Sequence, residues 1–414
     1  MGGPCGGGAA GPGALDGGLQ QRSGPRGGGS LTQRAGATRA SVLCCAVMQP
    51  DLPADVIAAD RVHHAILERV AFSRHLNPSN IAEARQRFLR GERTPPFVYQ
   101  PLDDADAILR ALDAVEPRRD HPAGALVGAC MDGTRLLVRA LRDRTAAAFD
   151  AMNLDGGWYP SAAALAMRFP EGHDRESPPI DADSLTQGLR GALDARGLWA
   201  WRVEPDAIMS ARVLVDSAKR MIRVNPRAAF RAHDLVRLVA HEIDVHVMRA
   251  HHGADQALLC FQTGLPRSLG TEEGLAMLAE HHADPASSAA LARQVDVLWA
   301  IDLARGLGFR ELFEQLVGAL GVPLSWSICV RVKRGLARPA EPGVYAKDSV
   351  YLLGTLQVRA WLDAGGALAD LYVGKVGVEH PVAEWVAQGW VRRKPLPALW
   401  GAHAAHSAEV SRAT

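Results

Sequence analysis

Between residues 233 and 251 the chain carries a helix that has to be buried, and His241-Glu242-Ile243-Asp244-Val245-His246 stands in its middle. Leu235, Leu238, Val239 and Ile243 mark an apolar face, and Gly253 stops the run. Removing two His, a Glu and an Asp from water together is costly unless each finds a partner. A metal ion resolves that cost. Zinc takes imidazole nitrogens and carboxylate oxygens at about 2.0–2.2 Å, and a catalytic zinc leaves one position open for water. A Glu beside that water can take its proton.

The spacing adds a second constraint. The common helical solution, HExxH, sets two His one turn apart, whereas here the second His comes one residue later. Five residues of regular α-helix rotate a side chain by about 140°, too far to share a metal. A one-turn π-bulge realigns residues i and i+5. The sequence therefore predicts a local distortion between His241 and His246. The metzincin pattern is excluded, because it needs His at 245 and that residue is Val.

A third ligand is expected from a second helix, opened by Thr271-Glu272-Glu273-Gly274-Leu275-Ala276 after a loop holding Gly264, Pro266 and Gly270. Glu272 and Glu273 are both candidates. One of them is expected to be only a favourable charge at a helix N-terminus. Small Gly274 and Ala276 would let this helix approach the His-bearing one.

Elsewhere the apolar spacing predicts helices at 55–72, 78–89, 103–115, 124–152 and 184–195, with an exposed loop at 170–184. Alternation at 211–216 and 221–224 around 217–220 predicts a hairpin, closed by Asn225-Pro226. Further helices are expected near 271–283, 287–305, 308–319, 347–363 and 380–388. Residues 1–47 are rich in Gly, Pro and Ala with almost no large apolar side chains, so they are expected to be a disordered leader, with Met48 a plausible start. Residues 48–400 are read as one catalytic unit, a helical part at 48–180 and a zinc-binding part at 181–400, followed by a tail at 401–414.

Composition excludes more than it selects. Lys+Arg 46 against Asp+Glu 45 gives a net charge of +1, so no overall field points to nucleic acid or an anionic membrane. No uninterrupted apolar run reaches the 18 or so residues of a spanning helix. The cysteines at 5, 44, 45, 130, 260 and 329 form no CxxC pair, which points to a reducing, cytoplasmic setting. Only Lys219, Lys333, Lys347, Lys375 and Lys394 are lysines, Arg being the default base.

His241 to His246, the segment 271–276, Cys329-Val330-Arg331-Val332-Lys333-Arg334-Gly335, Lys347-Asp348-Ser349-Val350-Tyr351 with Gly354, and Gly374-Lys375-Val376 occur in an order and spacing that resemble one zinc-peptidase family. It contains the microtubule-associated tyrosine carboxypeptidases, which remove the C-terminal tyrosine of α-tubulin, and bacterial flavohemoglobin expression-modulating QEGLA-motif proteins. The resemblance runs from about residue 60 to 390. It implies that His241 and His246 are zinc ligands, Glu273 the third ligand and Glu242 the general base. Two positions depart from the pattern: Asp244 and Val245 stand where Gly and Thr are frequent, and Glu272 stands where Gln is. Asp244 would bring one more carboxylate close to the metal.

Three of the five lysines fall in the resembling C-terminal motifs. A carboxypeptidase must recognise a free carboxylate, for which Arg or Lys is the natural partner. Arg331, Lys333, Arg334 and Lys347 are the candidates, and Tyr351 is a candidate donor to the oxyanion of a tetrahedral intermediate. His63, His64, His251, His252, His281 and His282 are expected to be ordinary structural histidines. The expectation is an α+β, helix-dominated, zincin-like metallopeptidase with a small β-sheet beside the metal-binding helix, Zn2+ as cofactor and a peptide or protein C-terminus as substrate, with no nucleic-acid or membrane partner. Two rival readings are a regulatory protein with a structural zinc site and a zinc hydrolase of a non-peptide amide.

Overall fold

The computed structural model describes residues 52–168, 176–207, 209, 211–285 and 289–401. The leader at 1–47, the tail from 402 and part of the loop expected at 170–184 lie outside the described residues. The described part is α+β and dominated by helices. Its N-terminal portion consists of α1 (Ala54–Arg69), α2 (Phe72–Leu76), α3 (Ile81–Leu89), α4 (Ala105–Asp113), α5 (Pro122–Asp143), α6 (Ala146–Gly156) and α7 (Ala162–Leu165). Where periodicity predicts one helix over 124–152, the chain makes two. Arg144 enters the left-handed region at φ 53, and the Thr145 side chain then caps α6 by accepting from the Ala148 N–H.

The strands follow. After β1 (Pro179–Ile180) and α8 (Ala182–Asp194) come β2 (Arg202–Pro205), β3 (Val213–Asp216), β4 (Met221–Val224) and β5 (Phe230–Arg231). The expected hairpin is present, β3 pairing antiparallel with β4 so that Asp216 faces Met221. Strand β2 adds in parallel on the other side of β4, giving the order β2-β4-β3. It ends in Pro205 and pairs in parallel, so it has no hairpin turn of the kind that marks β3 and β4. A second small sheet pairs β1 with β5.

Helix α9 (232–254) begins as regular α-helix, Ala232–Leu238, becomes π-helical over Val239–Val247 and returns to α over Met248–Ala254. Then come α10 (Cys260–Thr263), α11 (Ser268–Ala283), α12 (Ala289–Ala304), α13 (Phe309–Lys333), α14 (Val350–Asp363) and α15 (Val382–Ala387). Helix α13 runs well past the predicted 308–319, bent where Gly321 adopts φ 72 just before Pro323. With a mean hydropathy of 1.3 it is long and apolar enough to match a membrane span, although no uninterrupted apolar run reveals this in the sequence. Its side chains Phe309, Leu312, Phe313, Leu316 and Trp326 pack instead with Phe88 of α3 and with Val297 and Ile301 of α12.

Helix α9 lies between two cores. Ile243, Val247 and Ala250 pack with Val203, Val213, Ile222 and Val224 of the sheet and with Leu185 and Leu189 of α8. Ala240 and Val245 belong to a second cluster with Leu275, Ala276 and Ala279 of α11. Burial on both sides explains why its polar residues have to find partners inside the protein.

Of the two small residues of α11, Ala276 packs in the cluster that holds Ala240 and Val245 of α9, but Gly274 does not act as expected. Gly274 faces α14, not α9: a Cβ there would lie 2.1 Å from the Gly354 carbonyl carbon, and a Cβ on Gly354 would lie 1.8 Å from the Gly270 carbonyl oxygen. Backbone meets backbone at this crossing, so no flexible side chain can give way. Gly274→Ala is expected to cost about 3 kcal/mol, the upper end for overpacking, read as a fall in the denaturant midpoint at unchanged slope.

Candidate metal centre

The π-helical turn brings the two imidazoles together, with ring centroids 4.8 Å apart. Glu273 of α11 completes a group whose donor atoms all lie within 4.8 Å of one another. Glu273 Oε2 is 3.7 Å from His241 Nε2 and 3.6 Å from His246 Nε2. Two donors bound tetrahedrally at zinc distances stand about 3.4 Å apart. Glu273 Oε2 is also buried without a hydrogen-bond partner. The three donors thus converge on one point at a spacing suited to a shared cation.

The other face of each imidazole is held by a carboxylate. His246 Nδ1 donates to Glu272 Oε1 at 2.7 Å, because an ionised carboxylate can only accept. His241 Nδ1 lies 2.6 Å from Glu280 Oε1, as a close ion-pair contact rather than an aligned hydrogen bond. Carboxylates in these places fix the tautomer that leaves Nε2 free to coordinate. They are secured in turn: Glu280 pairs with Arg237 Nε at 3.0 Å, while Glu272 pairs with Arg249 and with Lys375 Nζ at 2.8 Å.

The electrostatics follow from this packing. Burial alone would lower both imidazole pKa values, but Glu273 and Glu280 hold His241 well above the usual range and Glu272 with Glu273 raise His246. Burial would raise Glu280; the His241 and Arg237 contacts outweigh it and bring it to about 2. Glu242 is raised, chiefly by burial. Tyr351 is pushed well above its ordinary value by Glu273, burial and Asp348, so its hydroxyl keeps its proton as a donor.

The basic candidates separate. Lys333 is fully buried and its ammonium donates to the carbonyls of Ala304, Leu307, Glu341 and Gly343. It ties the end of α13 to neighbouring loops and does not offer its charge to a ligand, which corrects the expectation for this residue. Arg331 and Arg334 both pair with Asp348, at 2.8 and 3.0 Å, and Arg334 also stacks on the Tyr345 ring. Burial would raise Asp348, yet the two guanidinium groups hold it at about 2. The charge of Arg331 reaches Tyr351 and Glu273, and Lys347 acts on Glu273 and Asp348. The Lys347 ammonium makes no hydrogen bond or ion pair among the described residues, although its carbonyl accepts the Val350 N–H.

Two further expectations change. Asp244 does not join the metal ligands: its carboxylate is taken by Arg196, two residues past the end of α8, at 2.6 and 2.8 Å. Neither Glu272 nor Glu273 is a helix N-terminal charge, because α11 begins at Ser268 and both are buried. Among the described residues the other histidines stay outside the convergent group, His63 bonding Thr134 and His252 the Tyr372 carbonyl.

A family model described as microtubule-associated tyrosine carboxypeptidase matches residues 161–411. The chain belongs to this family. Mouse microtubule-associated tyrosine carboxypeptidase 1 is 30% identical over 162 residues, 38% of this chain and 34% of the relative. The human putative tyrosine carboxypeptidase MATCAP2 is 30% identical over 180 residues, 42% of this chain and 34% of the relative. The aligned part spans about a third of these relatives' length.

The segment matched to the tyrosine carboxypeptidase family contains every residue of the convergent group. Helices α1 to α6 precede it and support it from behind, as where Asp60 of α1 accepts the backbone N–H groups of Leu259 and Cys260. The supporting roles of Glu280, Arg249 and Asp348 come from the tertiary structure. Glu280 carried a usable signal, since it stands seven residues after Glu273, two turns along the same face of α11.

Proposed function

We propose that this chain is a zinc metallopeptidase of zincin-like design that removes C-terminal residues. The observation that carries the reading is the convergence of His241 Nε2, His246 Nε2 and the otherwise unpartnered Glu273 Oε2, with both Nδ1 atoms backed by carboxylates. The donor set, two imidazoles and one carboxylate, suits zinc. When bound, zinc would polarise the scissile carbonyl and make a water easier to deprotonate.

The protein's own groups do the rest. Glu242, next to the first ligand, is 7% exposed, and its carboxylate makes no hydrogen bond among the described residues. Burial raises its pKa, which strengthens it as a base toward the attacking water. Tyr351, held protonated, donates to the oxyanion that develops on the carbonyl. Asp348 neutralises one of the two guanidinium groups it touches, so Arg331, Arg334, Lys347 and Asp348 together keep a net positive charge beside the catalytic groups. That charge suits the free carboxylate of a chain end. Arg331, 38% exposed in its side chain, and half-buried Lys347 are the accessible members. The names of the relatives support the carboxypeptidase reading.

Matched free-acid and amidated peptide libraries, incubated with zinc-loaded protein and read by mass spectrometry, test this. Free acids are expected to be shortened by one residue while amidated peptides survive, because amidation removes the charge that Arg331 and Lys347 would meet. Equal cleavage of both sets would leave a metallopeptidase without C-terminal selectivity. Intact libraries with zinc in place would favour a structural or regulatory metal site.

A further inference from the structure

A π-helical turn pairs His241 with His246 but leaves one backbone group over. The Met248 N–H is directed to the carbonyls of Ile243 and Val245, and so passes over the Asp244 carbonyl it would take in a regular α-helix. Asp244 is 2% exposed, and a buried carbonyl without a donor is costly. The Tyr372 hydroxyl donates to that carbonyl oxygen at 2.9 Å, from a turn at Leu368–Tyr372. The Trp400 indole N–H donates to the Tyr372 oxygen at 2.6 Å, which leaves the hydroxyl proton for Asp244. Tyr372 is fully buried. The same turn is fastened further along α9, where Arg249 Nε donates to the Leu371 carbonyl and His252 meets the Tyr372 carbonyl, both at 2.8 Å.

We propose that Tyr372 is a positioning residue for the metal centre: its hydroxyl takes up the carbonyl that the π-helical turn frees, and so holds His241 and His246 on one side of the helix. The functional side of this rests on the metal reading above; the backbone side does not. Without the hydroxyl, a return to α-helical pairing would let Met248 N–H satisfy Asp244, at the expense of the alignment between the two imidazoles. Tyr372 does not touch the proposed ligands, so it acts only through the backbone of the segment that bears them.

Tyr372→Phe keeps the ring and removes only the hydroxyl. Its zinc affinity, measured by competition with a chromophoric chelator, is expected to fall by about tenfold or more. Amide hydrogen exchange across 239–249 should also quicken in the zinc-free protein. Tyr99→Phe is the control: it removes a tyrosine hydroxyl that accepts from the Gly335 N–H at 3.1 Å, and should change neither readout. Trp400→Phe, which removes the N–H that orients Tyr372, should give a smaller change in the same direction, and it carries the test if Tyr372→Phe does not fold. Zinc affinity within about twofold of wild type with unchanged exchange overturns the proposal, as does an affinity loss that Tyr99→Phe reproduces. If wild-type protein takes no zinc, the metal reading fails, and exchange in zinc-free protein then decides the role of Tyr372 by itself: faster supports it, unchanged refutes it.

Discussion

Glu242→Gln keeps its zinc and loses hydrolysis by about 10²- to 10⁴-fold, the usual contribution of a positioned general base. The amide is nearly isosteric with the carboxylate, and His241, His246 and Glu273 are untouched. It cannot accept a proton from water. Because the Glu242 carboxylate makes no hydrogen bond among the described residues, no structural partner is lost, and the melting temperature should stay close to wild type. Burial of its charge and the repulsion from Glu273 and Glu280 are relieved, while the attraction to His241 and His246 is given up. Zinc content, turnover and thermal melting measured on one preparation check this together. Retained turnover with full zinc occupancy would assign the base to another residue.

The second large effect is on the metal itself. His246→Ala removes one of three converging donors and is expected to drop zinc from about one per chain to near none, read by elemental analysis after dialysis. Bound zinc at about 1,000 times its dissociation constant stabilises the folded state by about 4 kcal/mol. The variant and chelator-treated wild type should therefore melt together, several degrees below the loaded protein. Unchanged zinc in the variant would sink the ligand assignment. Acid should act in the same direction. His241 and His246 carry raised pKa values in the metal-free protein, so protons compete with zinc from a higher pH than for ordinary histidines, and affinity falls as pH is lowered.

Much of this site is legible along the chain because its parts are local. His241, Glu242 and His246 lie within six residues, and burial of their helix follows from its own apolar pattern, so the demand for partners could be argued without any tertiary knowledge. The five-residue spacing was enough to expect a distorted turn, and Val239–Val247 is π-helical. The β3–β4 hairpin was legible for the same reason, a short contact order with period-2 alternation. Longer-range features were not. Lys333 and Lys347 look alike as basic residues in a motif, yet one is sealed among four carbonyls and the other faces the site's carboxylates.

What the sequence by itself determined is therefore the set of reactive groups and the strain their spacing imposes, since helical period and burial cost depend on near neighbours. Which groups face one another was decided only by tertiary packing. Gly274 was chosen by its sequence as a close-approach point, but the fold set it against Gly354 of α14 and not against α9. Asp244 was an added carboxylate beside the metal until Arg196, 48 residues earlier, claimed it. Glu272 and Glu280 became the supports of the two imidazoles only when α11 packed beside α9. A side chain's charge is written in its residue type; the partner that gives the charge a role is supplied by chain segments whose approach no local pattern encodes.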